Sequence, residues 1–319
     1  MYLQLFLIAI GFVMLVKGAD YLVKGATFVA QRLGVSYFII GLTIVAFGTS
    51  LPEFIVGIIS AFKGTTDIAV GNIIGSNMAN MLLIVGIMAV LIPLDINIYA
   101  KKRDIPYALF SSMLLLFISI DVLLFGSGKN VISRIDGIIL ISAFVLFLIF
   151  VLSRSRDEIV DEGIYDANYK PSKALLFILT GVLALYLGGE IIVENSISLA
   201  RQLSISEILI SSTIVAFGTS LPEFATSIIA AYKAQCDIAV GNIVGSNIFN
   251  VLWVLGVTSI IIPLPLDGHL IMDMGLMVIA TFTLLLMVYV GIENIISWPK
   301  GLTLLLFYAI YIAMLIIRG

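Results

Sequence analysis

One stretch of this chain occurs twice, and that limits what the chain can fold into. Residues 41–94 and 211–264 align without a gap at an offset of 170 residues and agree at 32 of 54 positions. The agreement is densest in TIVAFGTSLPEF and DIAVGN, polar and Gly-rich segments set in apolar surroundings. A duplicated apolar helix can keep its hydrophobicity while its letters drift. Keeping the same Thr, Ser, Pro, Glu and Asn in both copies implies that both perform one chemical task.

The solvent for such a fold is a bilayer. The 319 residues are 61% hydrophobic and 12% charged, with a mean hydropathy of +1.17. A spanning helix needs roughly 20 apolar residues. Ten such spans are predicted at 2–24, 35–60, 68–92, 105–124, 132–153, 173–195, 206–232, 238–262, 269–290 and 299–317. The duplication reaches beyond the central blocks: Gly11, Leu15, Gly18, Ala30, Leu33 and Ser36 return as Gly181, Leu185, Gly188, Ala200, Leu203 and Ser206, and Asp20 is matched by Glu190. Each copy thus carries five spans. Five is odd, so the second copy enters the membrane from the opposite side.

The expected fold class is an all-α polytopic membrane protein with ten transmembrane helices as two inverted five-helix repeats. Residues 1–153 and 173–319 form the repeats, and 154–172 is the linker. This is an architecture of secondary transporters, whose sites lie near the midplane between halves. Loops after odd-numbered spans hold eleven Lys and Arg, and the other side holds five. The positive-inside rule puts the linker in the cytoplasm and both termini outside it, in the cell (plasma or inner) membrane. The N-terminus lacks a basic leader and a clear cleavage site and reads as a retained first span. One cysteine and one histidine exclude an internal disulfide and thiolate or imidazole metal clusters.

Gly11 and Gly18, like Gly181 and Gly188, fall seven apart on one helix face. Small residues there allow close helix approach, either as static packing or as a smooth sliding face. Lys17 and Asp20, three apart, are placed to pair.

Glu53 and Glu223 sit deep within apolar spans, where a charge costs about 2.5–3.5 kcal/mol and commonly faces an ion path. Pro52 and Pro222 precede them. Proline lacks an N–H and clashes with the carbonyl four residues back, freeing Gly48 and Gly218. The Gly-Thr-Ser run competes for backbone bonds. The expected outcome is a helix broken at membrane depth, tolerated only where it is buried in protein or lines a wet cavity.

Thr49, Ser50, Thr219 and Ser220 add hydroxyls to the loosened carbonyls. In the second polar block, Ser76 and Asn80, like Ser246 and Asn250, share a helix face, with Asn72 and Asn242 one turn back. Asn77 and Asn247 read as packing or backbone-bonding residues, and Asp67 and Asp237 as N-caps. Gly71, Gly75, Gly241 and Gly245 leave room for the broken helices. Hard oxygen donors of this kind suit Ca²⁺ at about six to eight oxygens, or several Na⁺. Two carboxylates this close require a cation or a proton, so protons should compete for the site.

The doubled GTSLPE and GSNxxN motifs, in inverted halves of a ten-span chain, resemble the calcium/cation antiporter superfamily, in its sodium/calcium exchanger branch, over essentially the whole chain. The resemblance implies that Glu53 and Glu223 are Ca²⁺ and Na⁺ ligands. It implies that carbonyls of Ala46, Thr49, Ala216 and Thr219 line the site and that hydroxyls of Ser50, Ser220, Ser76 and Ser246 help bind Na⁺. Asn80 and Asn250 would complete its middle. Asparagine at 250, where K⁺-carrying members have aspartate, favours exchange without K⁺. The expected activity is Na⁺/Ca²⁺ antiport by alternating access, with spans one and six sliding past the other eight. No enzyme chemistry, cofactor or nucleic acid is implied, and the site is complete in a monomer. The rivals are an H⁺- or K⁺-coupled exchanger of the same fold, a channel and an intramembrane enzyme.

Overall fold

The computed structural model describes residues 2–120, 130–154, 171–203, 216–291 and 294–318. The described chain is helical, joined at its tips by two-residue strands. In order the elements are α1 (Tyr2–Leu33), α2 (Tyr37–Thr49), α3 (Leu51–Phe62), α4 (Thr66–Leu91), β1 (Leu94–Asp95), α5 (Ile105–Ile118) and β2 (Val131–Ile132). Next come α6 (Arg134–Arg154), α7 (Pro171–Gln202), α8 (Ala216–Gly218), α9 (Leu221–Tyr232) and α10 (Cys236–Ile261). The chain ends with β3 (Leu264–Pro265), α11 (Gly268–Tyr289), β4 (Ile295–Ile296) and α12 (Trp298–Arg318).

Seven of these helices are long and apolar enough to cross a membrane, and α2 with α3, bent by 44°, makes an eighth candidate span. The other two predicted spans run through 121–124 and 206–215, outside the described residues, as does most of the predicted linker, 155–170. The first span is longer than predicted: α1 continues to Leu33 and stops where Gly34 takes a positive φ of 66°.

The two glycine rows face each other. A Cβ at Gly11 would stand 2.9 Å from the Gly188 carbonyl oxygen, at Gly18 2.9 Å from that of Gly181, and at Gly25 2.9 Å from that of Ala174. Numbers rise on α1 as they fall on α7, so the two helices are antiparallel. Their glycines form the seam inside the pair, which favours the static reading of these rows over a sliding face. Lys17 is exposed, and Asp20 pairs instead with Lys24 one turn on, at 2.8 Å, and with Lys233 at the end of α9. The predicted Lys17–Asp20 pair is therefore replaced. The i,i+4 position and the incoming α9 terminus lie over Asp20, while Lys17 points outward.

The halves interlock. β1 pairs antiparallel with β4 (Leu94 opposite Ile296), and β2 with β3 (Ile132 opposite Leu264). A Cβ at Gly301 on α12 would meet the Gly86 carbonyl oxygen of α4 at 2.8 Å. One at Gly137 on α6 would meet that of Gly256 on α10 at 2.7 Å. The last helix of each copy therefore packs on the other copy. α2 and α10 also cross closely: a Cβ at Gly41 would stand 2.6 Å from the Ile238 carbonyl oxygen, and one at Gly241 2.5 Å from that of Phe38. Gly241 and Gly245 thus fill their predicted role. The segment that the repeat would set against Gly71 and Gly75, near 208–212, is outside the described residues.

Candidate cation site

The breaks fall where the motif implies, by a different route. Ser50 (φ −86°, ψ 8°) and Ser220 (φ −84°, ψ 4°) leave the helical region, and a second half-helix starts directly after each. Pro52 and Pro222 sit in its first turn, where an N–H would be unbonded in any case. Glu53 and Glu223 follow in that same first turn, at the positive end of the half-helix, where a carboxylate is favoured. Proline therefore opens the new segment more than it breaks the old one.

Both glutamates are fully buried, and among the described residues neither meets a Lys or Arg. Hydroxyls surround them, drawn from both copies. Ser50 Oγ donates to Glu223 Oε1 at 2.8 Å, Ser246 Oγ donates to the same oxygen at 3.3 Å, and Ser76 Oγ donates to Glu53 Oε1 at 3.3 Å. Thr49 Oγ1 donates to Asn242 Oδ1 (3.0 Å) and Thr219 Oγ1 to Asn72 Oδ1 (3.1 Å). Thr219 also lies 3.2 Å from Ser76, and Thr49 3.5 Å from Ser246. Each block thus completes the other.

The backbone at the breaks is less symmetric. The Ser50 N–H donates to the Ala46 carbonyl at 3.0 Å, and the Thr49 hydroxyl reaches the same oxygen at 3.3 Å. The Ser220 N–H donates to Phe217 instead, at 3.1 Å, so the Ala216 carbonyl is spared that bond.

The middle of the site is set by two residues that the sequence assigned to packing. Asn80 Nδ2 donates to Asn247 Oδ1 (2.9 Å), and Asn250 Nδ2 donates to Asn77 Oδ1 (3.1 Å). Asn77 is held in turn by donating to the Asn247 carbonyl at 3.2 Å. With their N–H₂ groups engaged, Asn80 and Asn250 keep their Oδ1 atoms free. The two bonds are related by the repeat, their separations of 173 and 167 residues lying symmetrically about its offset. A π-helical segment begins beside each amide, at Ala79–Ile84 and Asn250–Val254. Such segments are frequent at functional sites. Asp67 and Asp237 are not N-caps: the helices begin one residue earlier, at Thr66 and Cys236, so these acids lie within the first turn.

What remains unbonded defines the chemistry. Glu53 Oε2, Glu223 Oε2, Asn80 Oδ1, Asn250 Oδ1 and Ser220 Oγ are buried and find no hydrogen-bond partner among the described residues. Four of the five can only accept. Buried carboxylate oxygens without donors are costly unless a cation meets them. The donor set is carboxylate, amide and hydroxyl oxygen, which suits a hard cation. Among the described residues no group of three or more His, Cys, Asp and Glu gathers, here or elsewhere.

Known proteins agree with this chemistry. The sequence model of the sodium/calcium exchanger protein family matches residues 3–153 and 173–317. The chain is 32% identical to the sodium/calcium exchanger MaX1 of Methanosarcina acetivorans, covering 97% of each chain. It is 28% identical to the Ca²⁺/H⁺ antiporter ChaA of Bacillus subtilis, covering 78% of this chain and 75% of that one. A solved structure of the sodium–calcium exchanger NCX_Mj superposes with a TM-score of 0.83 at 30% identity, over 98% of this chain and 99% of that one. These proteins are transporters, not enzymes, and need no cofactor. Two half-sites of hard oxygens inside an apolar helical bundle, and a family match along nearly the whole chain, lead to one conclusion: this is a membrane protein of the sodium/calcium exchanger family, within the calcium/cation antiporter superfamily.

Proposed function

We propose that the chain exchanges Na⁺ for Ca²⁺ across the cell membrane, presenting one midplane site alternately to the two sides. It does so as two inverted repeats of five spans each, with both termini outside the cytoplasm. Several Na⁺ run down their gradient and one Ca²⁺ moves against its own. Glu53 and Glu223 are the central ligands of both ions. Thr49, Thr219, Ala46 and Ala216 contribute carbonyls; Ser50, Ser220, Ser76 and Ser246 contribute hydroxyls; Asn80 and Asn250 contribute amide oxygens. The observation that carries this reading is the set of buried acceptors around two glutamates that meet no cationic side chain among the described residues. Two carboxylate charges match one Ca²⁺ or two Na⁺, so the same pocket can hold either load near neutrality. Asparagine at 80 and 250 keeps the site charge at two, which favours Na⁺ over a K⁺-requiring cycle.

The family also contains proton-coupled members, so the decisive experiment swaps the driving gradient. Purified protein in sealed proteoliposomes is given a Na⁺, an H⁺ or a K⁺ gradient alone, and Ca²⁺ uptake is followed. Uptake with the Na⁺ gradient only is the expected result. Uptake driven equally by H⁺ or K⁺ overturns the coupling ion, and uptake with no gradient of any counter-ion makes the chain a channel.

A further inference from the structure

The two ends of the α1–α7 pair differ in a way the duplication makes readable. At one end Asp20 of α1 is shared by Lys24 of the same helix and by Lys233, the residue that ends α9. A second tie lies beside it, where Thr27 Oγ1 donates to Gln235 Oε1 at 3.0 Å. Thr49, the counterpart of Thr219 in the first copy, is fully buried.

Shifted by the repeat offset of 170, Asp20 becomes Glu190, Lys24 becomes Glu194 and Lys233 becomes Lys63. The second trio has the inverse composition: two acids and one lysine in place of one acid and two lysines. Both trios can form a three-member ionic cluster, yet only the first is joined. Lys63, Glu190 and Glu194 are all exposed, and no ion pair links them among the described residues. Instead Glu190 and Glu194 line a crevice of about 290 Å³ with Pro52, Gly218, Pro222 and Thr219, a residue of the cation site that is partly exposed. The crevice that reaches Thr219 lies at the end without its ion pair.

The geometry points to a pair of reciprocal latches. Asp20–Lys233, braced by Lys24, ties α1 to the end of α9 and closes one face of the exchanger. Glu190–Lys63, braced by Glu194, ties α7 to the end of α3 and closes the other face in the alternate state. The structure has the first latch shut and the second open. This rests on the alternating-access reading above and adds to it the residues that hold each face closed. Each latch joins the α1–α7 pair to a half-helix that carries a site glutamate in its first turn. Closing one therefore requires the pair to shift along the bundle, away from the position that closes the other.

Thiol cross-linking in proteoliposomes tests the idea, with Cys236→Ser as background and a short bifunctional reagent. The D20C/K233C variant should cross-link in ion-free protein. The K63C/E190C variant should cross-link only under exchange conditions, with Na⁺ and Ca²⁺ on opposite sides. Each link should lower Ca²⁺ flux at least tenfold, and a reducing agent should restore it. Without a linker, Lys63→Glu should slow exchange about fivefold and K63E/E190K should recover most of it. A K63C/E190C pair that never links while the native chain exchanges Ca²⁺, or linked protein that transports at full rate, overturns the latch. Absence of coupled flux in the native chain overturns the exchanger reading instead, and gel mobility of the two thiol pairs then still decides the latch.

Discussion

The two half-sites share most of their motif letters but not their bonds. In the first, Ser50 is committed twice, its N–H to Ala46 and its hydroxyl to Glu223. In the second, among the described residues, the Ser220 hydroxyl has no partner and its N–H reaches Phe217. Thr49 is sealed, whereas Thr219 meets a crevice. Asn242 Nδ2 donates to Ser227 Oγ at 2.9 Å, while Asn72 Nδ2 has no acceptor among the described residues, the residue matching Ser227 being Gly57. Some of these differences are written in the sequence, as Gly57 against Ser227 is. Others, as at Ser50 and Ser220, arise between identical residues and must come from conformation. The comparison separates a permanent asymmetry from one that the transport cycle can exchange.

The largest expected effect tests whether the halves are equivalent where it matters. Glu53→Gln and Glu223→Gln should each lower Na⁺-driven Ca²⁺ flux by about 100-fold or more, since each removes half of the site's charge. Full flux in either variant would remove that residue from the site, and a large inequality between the two would break the equivalence. The α1–α7 seam should also respond alike on both sides. A Cβ at Gly18 or Gly181 would stand 2.7–2.9 Å from backbone atoms of the facing helix. Gly18→Leu and Gly181→Leu should therefore each cost about 3 kcal/mol, read as lowered thermal stability in detergent.

Ser50 and Ser220 should differ in the ion-free protein. Ser50→Ala removes a buried bond to a carboxylate and should destabilise by about 1.5 kcal/mol, while Ser220→Ala should be close to neutral. Equal effects would mean that the asymmetry at the breaks carries no energy. Gly57→Ser would give Asn72 the acceptor that Asn242 already has. Its Cβ would stand 3.3 Å from Val254 Cγ1, a contact that a small rotamer adjustment can relieve. A gain of about 1 kcal/mol is expected. The smallest effect concerns the turns after α3 and α9, where Gly64 and Ala234 occupy matched positions with φ of 75° and 57°. Ala234→Gly should stabilise by about 0.5 kcal/mol by relieving the left-handed alanine.

How much of this could be read beforehand depends on what kind of information each feature needs. Glu53, Pro52, Ser76 and their counterparts were legible because type and spacing alone specify them: an acid in an apolar span, a proline beside it, polar residues four apart. The bonds of Asn77 and Asn247 were not, since they join different copies across the bundle and spacing along one helix is blind to them. Asp20 was assigned to Lys17 by proximity in sequence, but Lys233, 213 residues away, lies closer in space. The π-helical segments left no trace in the side-chain pattern, because they are a change of backbone hydrogen-bond register. The glycine rows show in the sequence, but which helix they face is a tertiary fact.

The short strands at the tips have a consequence for how the protein is made. β1 emerges from the ribosome about 200 residues before its partner β4, and α4 waits slightly longer for α12. At roughly 5–20 residues per second, that interval is about 10–40 s. During it, the first copy sits in the membrane with an open tip and a glycine face awaiting its neighbour. A nascent chain stalled before residue 295 therefore carries every glutamate and asparagine of the site, yet lacks the last pieces that close the first half. Its quality would have to be judged by membrane proteases and chaperones on packing rather than on chemistry.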